Sequence, residues 1–183
     1  WRSFTHFIGG IGIIVFSIAI LPLMGFGGVQ LFRAEVAGPV ADKLTPRIKQ
    51  TAKLLWGIYF GLIIAETLIL LIEGLPLYDS LTHAFATMAT GGFSTNSDSI
   101  ASYPSIVQYT MILFMILAAS SFSLHFLAFR KGRFEYFKDQ EFKVYIGVIV
   151  LFLFVFFTDN YINIFLKTGN FEEGFRHSLF TSV

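Results

Sequence analysis

Long apolar runs separated by short polar or basic stretches dominate this chain. Phe4 to Phe32 holds 29 residues without Asp, Glu, Lys or Arg, and Tyr103 to Phe129 holds another 27. Both exceed the ~20 residues that cross a ~30 Å hydrocarbon core as a helix. Leu54 to Ile72 adds 19 residues with one acid, Glu66, inside. Val144 to Thr158 gives only 15 before Asp159, but aliphatic and aromatic positions continue to Leu166, which predicts a tilted or polar-ended span. The pattern therefore predicts four membrane spans.

One segment departs from it. In Ala89-Thr90-Gly91-Gly92-Phe93-Ser94-Thr95-Asn96-Ser97-Asp98-Ser99-Ile100 a double glycine runs into hydroxyl and amide residues, between two spans. Before it, Leu77 to Ala89 is 13 residues, a helix of ~20 Å that cannot cross. Pro76 precedes this stretch, and Asp79 and Ser80 fall in its first turn, where acceptors and negative charge suit a helix N-terminus. Such a half-helix starts outside and stops midway. Its C-terminus then directs unpaired carbonyls, worth about half a negative charge, at the membrane interior, an end suited to a dehydrated cation.

Irregular backbone at that depth is tolerated only where protein buries it or where it lines a water-filled cavity. Glycine lets consecutive carbonyls turn to one axis, and rings of carbonyls replace the hydration shell of potassium. Taken alone, Gly-Gly after a helix is an ordinary helix-ending turn. Its setting, after a half-helix and between spans whose outer ends face one compartment, predicts a re-entrant pore loop.

Composition agrees: the chain is 55% hydrophobic, 17% aromatic and 14% charged, with 23 phenylalanines, and its mean hydropathy is +0.69. The absence of cysteine removes disulfide and thiolate-metal chemistry. The net charge of +1 hides an uneven distribution. Arg33, Lys43, Arg47, Lys49 and Lys53 lie between the first two spans, and Arg130, Lys131, Arg133, Lys138 and Lys143 between the last two. By the positive-inside rule the loops 33–53 and 130–143 are expected to be cytoplasmic, with 73–103 and 159–183 on the periplasmic or extracellular side. That far side carries Glu73, Asp79, Asp98, Asp159, Glu172 and Glu173, as solvated loop residues or as a vestibule that concentrates cations. No leader or cleavage site is visible before the first span, which begins near Trp1, and the chain reads as a fragment.

The chain also repeats itself. Span, outer loop and half-helix over Leu54 to Ala89 begin again at Val144, about 94 to 98 residues later. Ser178-Leu179 matches Ser80-Leu81 in one register, and His177 matches His83 in the other.

These residues resemble the Trk/Ktr/HKT superfamily of potassium uptake proteins, and most of all its bacterial TrkH branch. Three stretches carry the resemblance: Phe7-Ile8-Gly9-Gly10-Ile11-Gly12-Ile13-Ile14-Val15, the run from Leu81 through Thr90-Gly91-Gly92-Phe93-Ser94-Thr95, and Phe122-Ser123-Leu124-His125. It implies an all-α membrane protein built from span, re-entrant pore loop and span units around one potassium-channel-like pore. Residues 1–33 would be the closing span of a first repeat. Residues 54–130 would be the second repeat, with spans 54–72 and 103–129, pore helix 77–89 and filter 90–95. Residues 142–183 would open the third.

The resemblance places potassium against the backbone carbonyls of Thr90, Gly91, Gly92 and Phe93. It implies no cofactor, a bacterial inner-membrane location, a homodimer in membrane lipid, and a cytoplasmic nucleotide-binding ring subunit of the TrkA/KtrA kind. No nucleic acid is implied.

Glu66 inside a span is either a hydrogen-bonded structural acid or a proton or cation site, and the second would make the protein a coupled symporter. His6, His83, His125 and His177 lie on separate segments without metal-ligand spacing. Gly9, Gly10 and Gly12, like Gly25, Gly27 and Gly28, suit close helix approach. Arg130 to Lys143, interleaved with Phe134, Tyr136 and Phe137, reads as a docking surface or a membrane-surface anchor. No nucleophile with a base, no carboxylate pair within a span and no metal set points to an enzyme.

Overall fold

A computed structural model describes residues 1–12, 48–131, 135–160 and 171–183. The first span beyond Gly12, most of the first basic loop, Gly25, Gly27, Gly28 and residues 161–170 lie outside the described residues. Among the described residues all regular structure is helical: α1 (Arg2–Phe7), α2 (Ile48–Ile72), α3 (Leu77–Met88), α4 (Ser105–Ala119), α5 (Phe122–Lys131), α6 (Glu135–Lys138), α7 (Gln140–Asn160) and α8 (Phe171–Ser182).

The 25 residues of α2 extend ~37 Å, enough to cross a bilayer core. One stripe, Tyr59, Ile63, Glu66 and Leu70, is fully buried. The opposite stripe, Phe60, Ile64, Leu68 and Ile72, is just as apolar yet exposed, a pattern that suits contact with lipid or further protein. The helix ends where Gly74 takes φ +96°. There Leu75 N–H bonds Leu70 O at 3.0 Å and Gly74 N–H bonds Leu71 O at 3.1 Å. Leu70 and Leu75 share one buried cluster, the apolar contact that accompanies this kind of helix end.

α7 is also long and apolar enough to span. α4 is shorter, because the run expected to span from 103 to 129 is broken. Ser120 is extended (φ −80°, ψ 153°), and α5 starts again at Phe122. The break is satisfied from within: Leu117 O accepts Ser120 N–H at 3.1 Å and His125 Nε2–H at 2.9 Å. His125 Nδ1 accepts the Tyr136 hydroxyl at 2.6 Å, which ties α6 to the break. The Phe122 to His125 motif therefore has a structural job.

The N-terminal helix is broken as well. Past Phe7 it loosens into a wider turn, Ile8–Gly12, in which Gly10 leaves helical geometry. Tyr59 Oη donates to Phe7 O at 3.2 Å, and the Phe7 ring stacks on Phe85 and Tyr59 at 4.8 and 5.8 Å. A Cβ on Gly10 would lie 2.8 Å from Tyr59 Oη and 3.4 Å from Ala89 Cα, so the close approach expected of these glycines is made at Gly10.

α8 packs on α7 and reaches α4. Ser178 and Ser80 are both fully buried, and each returns its hydroxyl to the carbonyl four residues back, Gly174 O at 2.7 Å and Pro76 O at 3.0 Å. This shared environment favours the register that pairs Ser178 with Ser80.

Gly10→Ala should destabilise the protein by ~1 to 3 kcal/mol through overpacking against a fully buried ring. Adding Tyr59→Phe, which removes the crowding oxygen, should recover part of the loss. Thermal melts in detergent check both.

Candidate functional site

α3 is twelve residues long, ~18 Å, and is held among α1, α2 and α4. Its Ala84 and Met88 lie in a buried cluster with Leu55, Tyr59, Ile63, Phe114 and Ala118. The C-terminal end closes on itself. Gly91 N–H bonds Ala86 O at 2.7 Å and Thr90 N–H bonds Thr87 O at 2.9 Å. The residue after the cap in such an ending is left-handed and usually glycine; here Thr90 occupies it at φ +50°. A β-branched residue costs roughly 1 to 2 kcal/mol in that conformation, a cost that only a well-determined surrounding sustains.

Gly92 is also left-handed, at φ +67°, whereas Gly91 and Phe93 are not. Handedness thus alternates along Thr90, Gly91, Gly92 and Phe93. The same stretch contains the four residues whose carbonyls the resemblance sets against potassium.

Behind this turn the first part of α3 reaches the segment that follows it. His83 Nδ1 lies 2.7 Å from Asp79 O and Nε2 lies 2.9 Å from Ser94 Oγ. Thr95 Oγ1 donates to Asp79 Oδ1 at 2.8 Å, and Asn96 N–H donates to Ser94 Oγ at 3.2 Å. The chain start packs on the same loop: the Arg2 guanidinium sits 3.3 Å from the centre of the Phe93 ring, and the His6 ring stacks on Phe93 at 5.1 Å. A cavity of about 210 Å³ opens beside Thr90, Gly92 and Phe93, walled by Met111, Phe180 and Val183.

Glu66 does not line that cavity, but its neighbour Thr87 does. It is fully buried on the α2 stripe facing the cluster, and neither carboxyl oxygen has a hydrogen-bond partner among the described residues. Thr87 is its polar neighbour, but the Thr87 hydroxyl is directed to Met111 Sδ at 3.9 Å. The histidines do not assemble either. His6 and His83 flank the loop, His125 serves the break, and His177 is on α8; among the described residues no group of three His, Asp or Glu gathers to hold a metal.

A second polar connection joins α8 to α4. Buried Arg176 donates through Nη1 to Gln108 Oε1 and through Nε to Glu172 Oε1 at 2.9 Å, and Gln108 Nε2 donates to Tyr103 O at 2.9 Å. The Arg176 guanidinium holds the Glu172 carboxyl below its ordinary pKa.

The sequence reading missed His83, Arg2 and His6 as neighbours of the turn, and with them the bonds that Ser94 and Thr95 make to α3. One signal was available for the first pair of contacts: Asp79 and His83 are four apart, on one face of a short helix followed by hydroxyl residues.

Residues 1–173 match the family described as TrkH, cation transport protein. The chain is 44% identical over 162 residues to the Trk system potassium uptake protein TrkH of Vibrio parahaemolyticus, covering 86% of this chain and 33% of that protein. It is 40% identical over 188 residues to the protein of the same name from Halomonas elongata, covering 100% of this chain and 38% of that one. The fold is similar to the crystal structure of the potassium transporter TrkH from Vibrio parahaemolyticus, with TM-score 0.76 and 35% identity, covering 100% of this chain and 36% of the other. The chain thus spans about a third of the length of the curated relatives it matches.

A Cβ on Gly91 would stand 2.7 Å from His6 Nδ1, while one on Gly92 would meet nothing within 4 Å. Gly91→Ala should therefore destabilise by ~1 to 3 kcal/mol and be relieved by His6→Ala. Gly92→Ala should cost ~1 to 2 kcal/mol through its backbone angle alone and be indifferent to His6→Ala. Melting of the single and double variants separates the two.

Proposed function

This chain belongs to the TrkH family of cation transport proteins, all-α membrane proteins of bacteria, and from that membership we propose that it supplies part of a potassium-conducting pore. In this reading residues 54–130 are one complete repeat of four, 1–33 close the repeat before it, and 142–183 open the repeat after it. The carbonyls of Thr90, Gly91, Gly92 and Phe93 replace water around the ion. The observation that carries the reading is the alternating backbone of these four residues at the C-terminal end of a half-helix. The partial negative charge of that helix end favours a cation just where the turn begins. The relatives' names specify potassium uptake, which selects the cargo.

Orientation follows from the basic loops: 33–53 and 130–143 face the cytoplasm, 73–103 and 159–183 the periplasm. The protein is then a multi-pass component of the inner membrane. The relatives are named as members of a Trk system, and the partners in this reading are a second copy of the transporter and a cytoplasmic nucleotide-binding ring. Conduction is a property of the whole assembly. A coupled symporter working through Glu66 is the rival; Glu66 does not line the cavity, although its neighbour Thr87 does.

In the full-length transporter reconstituted in liposomes, Gly92→Ser should lower the potassium-to-sodium permeability ratio by on the order of tenfold, the equivalent of ~1 to 2 kcal/mol of backbone strain in the filter. An unchanged ratio would remove the filter assignment. Glu66→Gln should leave potassium flux intact and independent of a pH gradient; flux that collapses while potassium still binds would favour the symporter.

A further inference from the structure

We propose that His83 is the positioning residue that fixes the outer end of the turn and thereby sets its discrimination between cations. This rests on the reading of Thr90 to Phe93 as a filter. The inner end is fixed by main chain, through the Thr90 and Gly91 bonds back into α3. The outer end is fixed by side chains, and His83 is the buried one, at 2% exposure.

For a neutral ring the chemistry of its partners assigns the protons. Asp79 O is a carbonyl and can only accept, so His83 Nδ1, 2.7 Å away, carries the hydrogen. Nε2 of the neutral ring is then an acceptor, and Ser94 Oγ at 2.9 Å must donate to it. With its hydrogen committed, Ser94 Oγ is left as the acceptor for Asn96 N–H at 3.2 Å. A single directed line of hydrogen bonds runs from Asn96 through Ser94 and His83 to Asp79, joining the chain after the turn to the first turn of α3. Tyr103 meets the His83 ring edge-on at 5.5 Å and 89°, which holds its plane. The Thr95 to Asp79 bond runs alongside, but at the exposed surface, where it competes with water.

A turn held at one end only can relax around a smaller ion; a turn held at both ends keeps its carbonyl spacing. The two nitrogens of His83 can be tested separately, because an asparagine amide occupies the Nδ1 position and a glutamine amide the Nε2 position. His83→Asn should keep the Asp79 bond, lose the Ser94 bond, and lower the potassium-to-sodium ratio of the full-length transporter by about five- to tenfold while potassium still flows. Ser94→Ala should do the same, and the two together should lose no more than either alone. His83→Gln should restore the ratio.

If Ser94→Ala and His83→Asn leave the ratio unchanged while Gly92→Ser lowers it, the role of His83 is refuted and the filter stands. If all three leave it unchanged, the filter assignment fails and this inference with it. Additive losses in the double variant, or a His83→Gln protein as unselective as His83→Asn, would also overturn the proposal.

Discussion

Inside a bilayer a peptide group has no water to turn to, so every departure from helix must bring its own hydrogen bonds. Three such departures among the described residues are each met by a named donor or by a self-closing turn. At Gly10 the helix loosens and Tyr59 of α2 reaches over to the Phe7 carbonyl. At Ser120 the apolar run after Tyr103 breaks and His125 of α5 returns to the Leu117 carbonyl. After Met88 the half-helix ends by folding Thr90 and Gly91 back on itself. The side chains recruited for this are large and rigid, and they are also core residues. Tyr59 is fully buried beside Ala84 and Met88, so the same ring that satisfies the first break packs the half-helix in place.

The turn therefore borrows its rigidity from three directions. α3 supplies the main-chain anchor, its first turn supplies His83 and Asp79, and the start of the chain supplies Arg2 and His6 against Phe93. Strain at Thr90 and the positive angle at Gly92 persist because those neighbours over-determine the path. The turn begins at the C-terminal end of α3, where the helix carries partial negative charge.

Much of this was legible in the residues. Hydropathy and length picked out the 54–72 stretch inside α2 and the half-helix from Leu77, since apolar runs and a preceding proline act locally. The double glycine marked the turn because glycine alone adopts both hands freely. The break at Ser120 was not legible: Ala118-Ala119-Ser120-Ser121 contains no helix breaker, and the break is stabilised by a histidine and by a tyrosine from another helix. The His83 line escaped for the same reason. It exists only once residues 94 to 96 have folded back over α3, so a search for metal-ligand spacing looked for the wrong chemistry in the right residue. The repeat register was ambiguous by one helical turn until two serines proved to share an environment.

The contact between Arg176 and Gln108 joins α8 to α4, and it bears on how such a protein is made. A half-helix that carries Glu172, Glu173 and Arg176 has little reason to leave water by itself. Beyond Glu172 on its own helix, its arginine finds an acceptor on α4, an element synthesised some seventy residues earlier. Assembly is then directional in time as well as in space. α4, once seated, offers the acceptor that holds α8, so this contact closes in the order in which the two elements leave the ribosome.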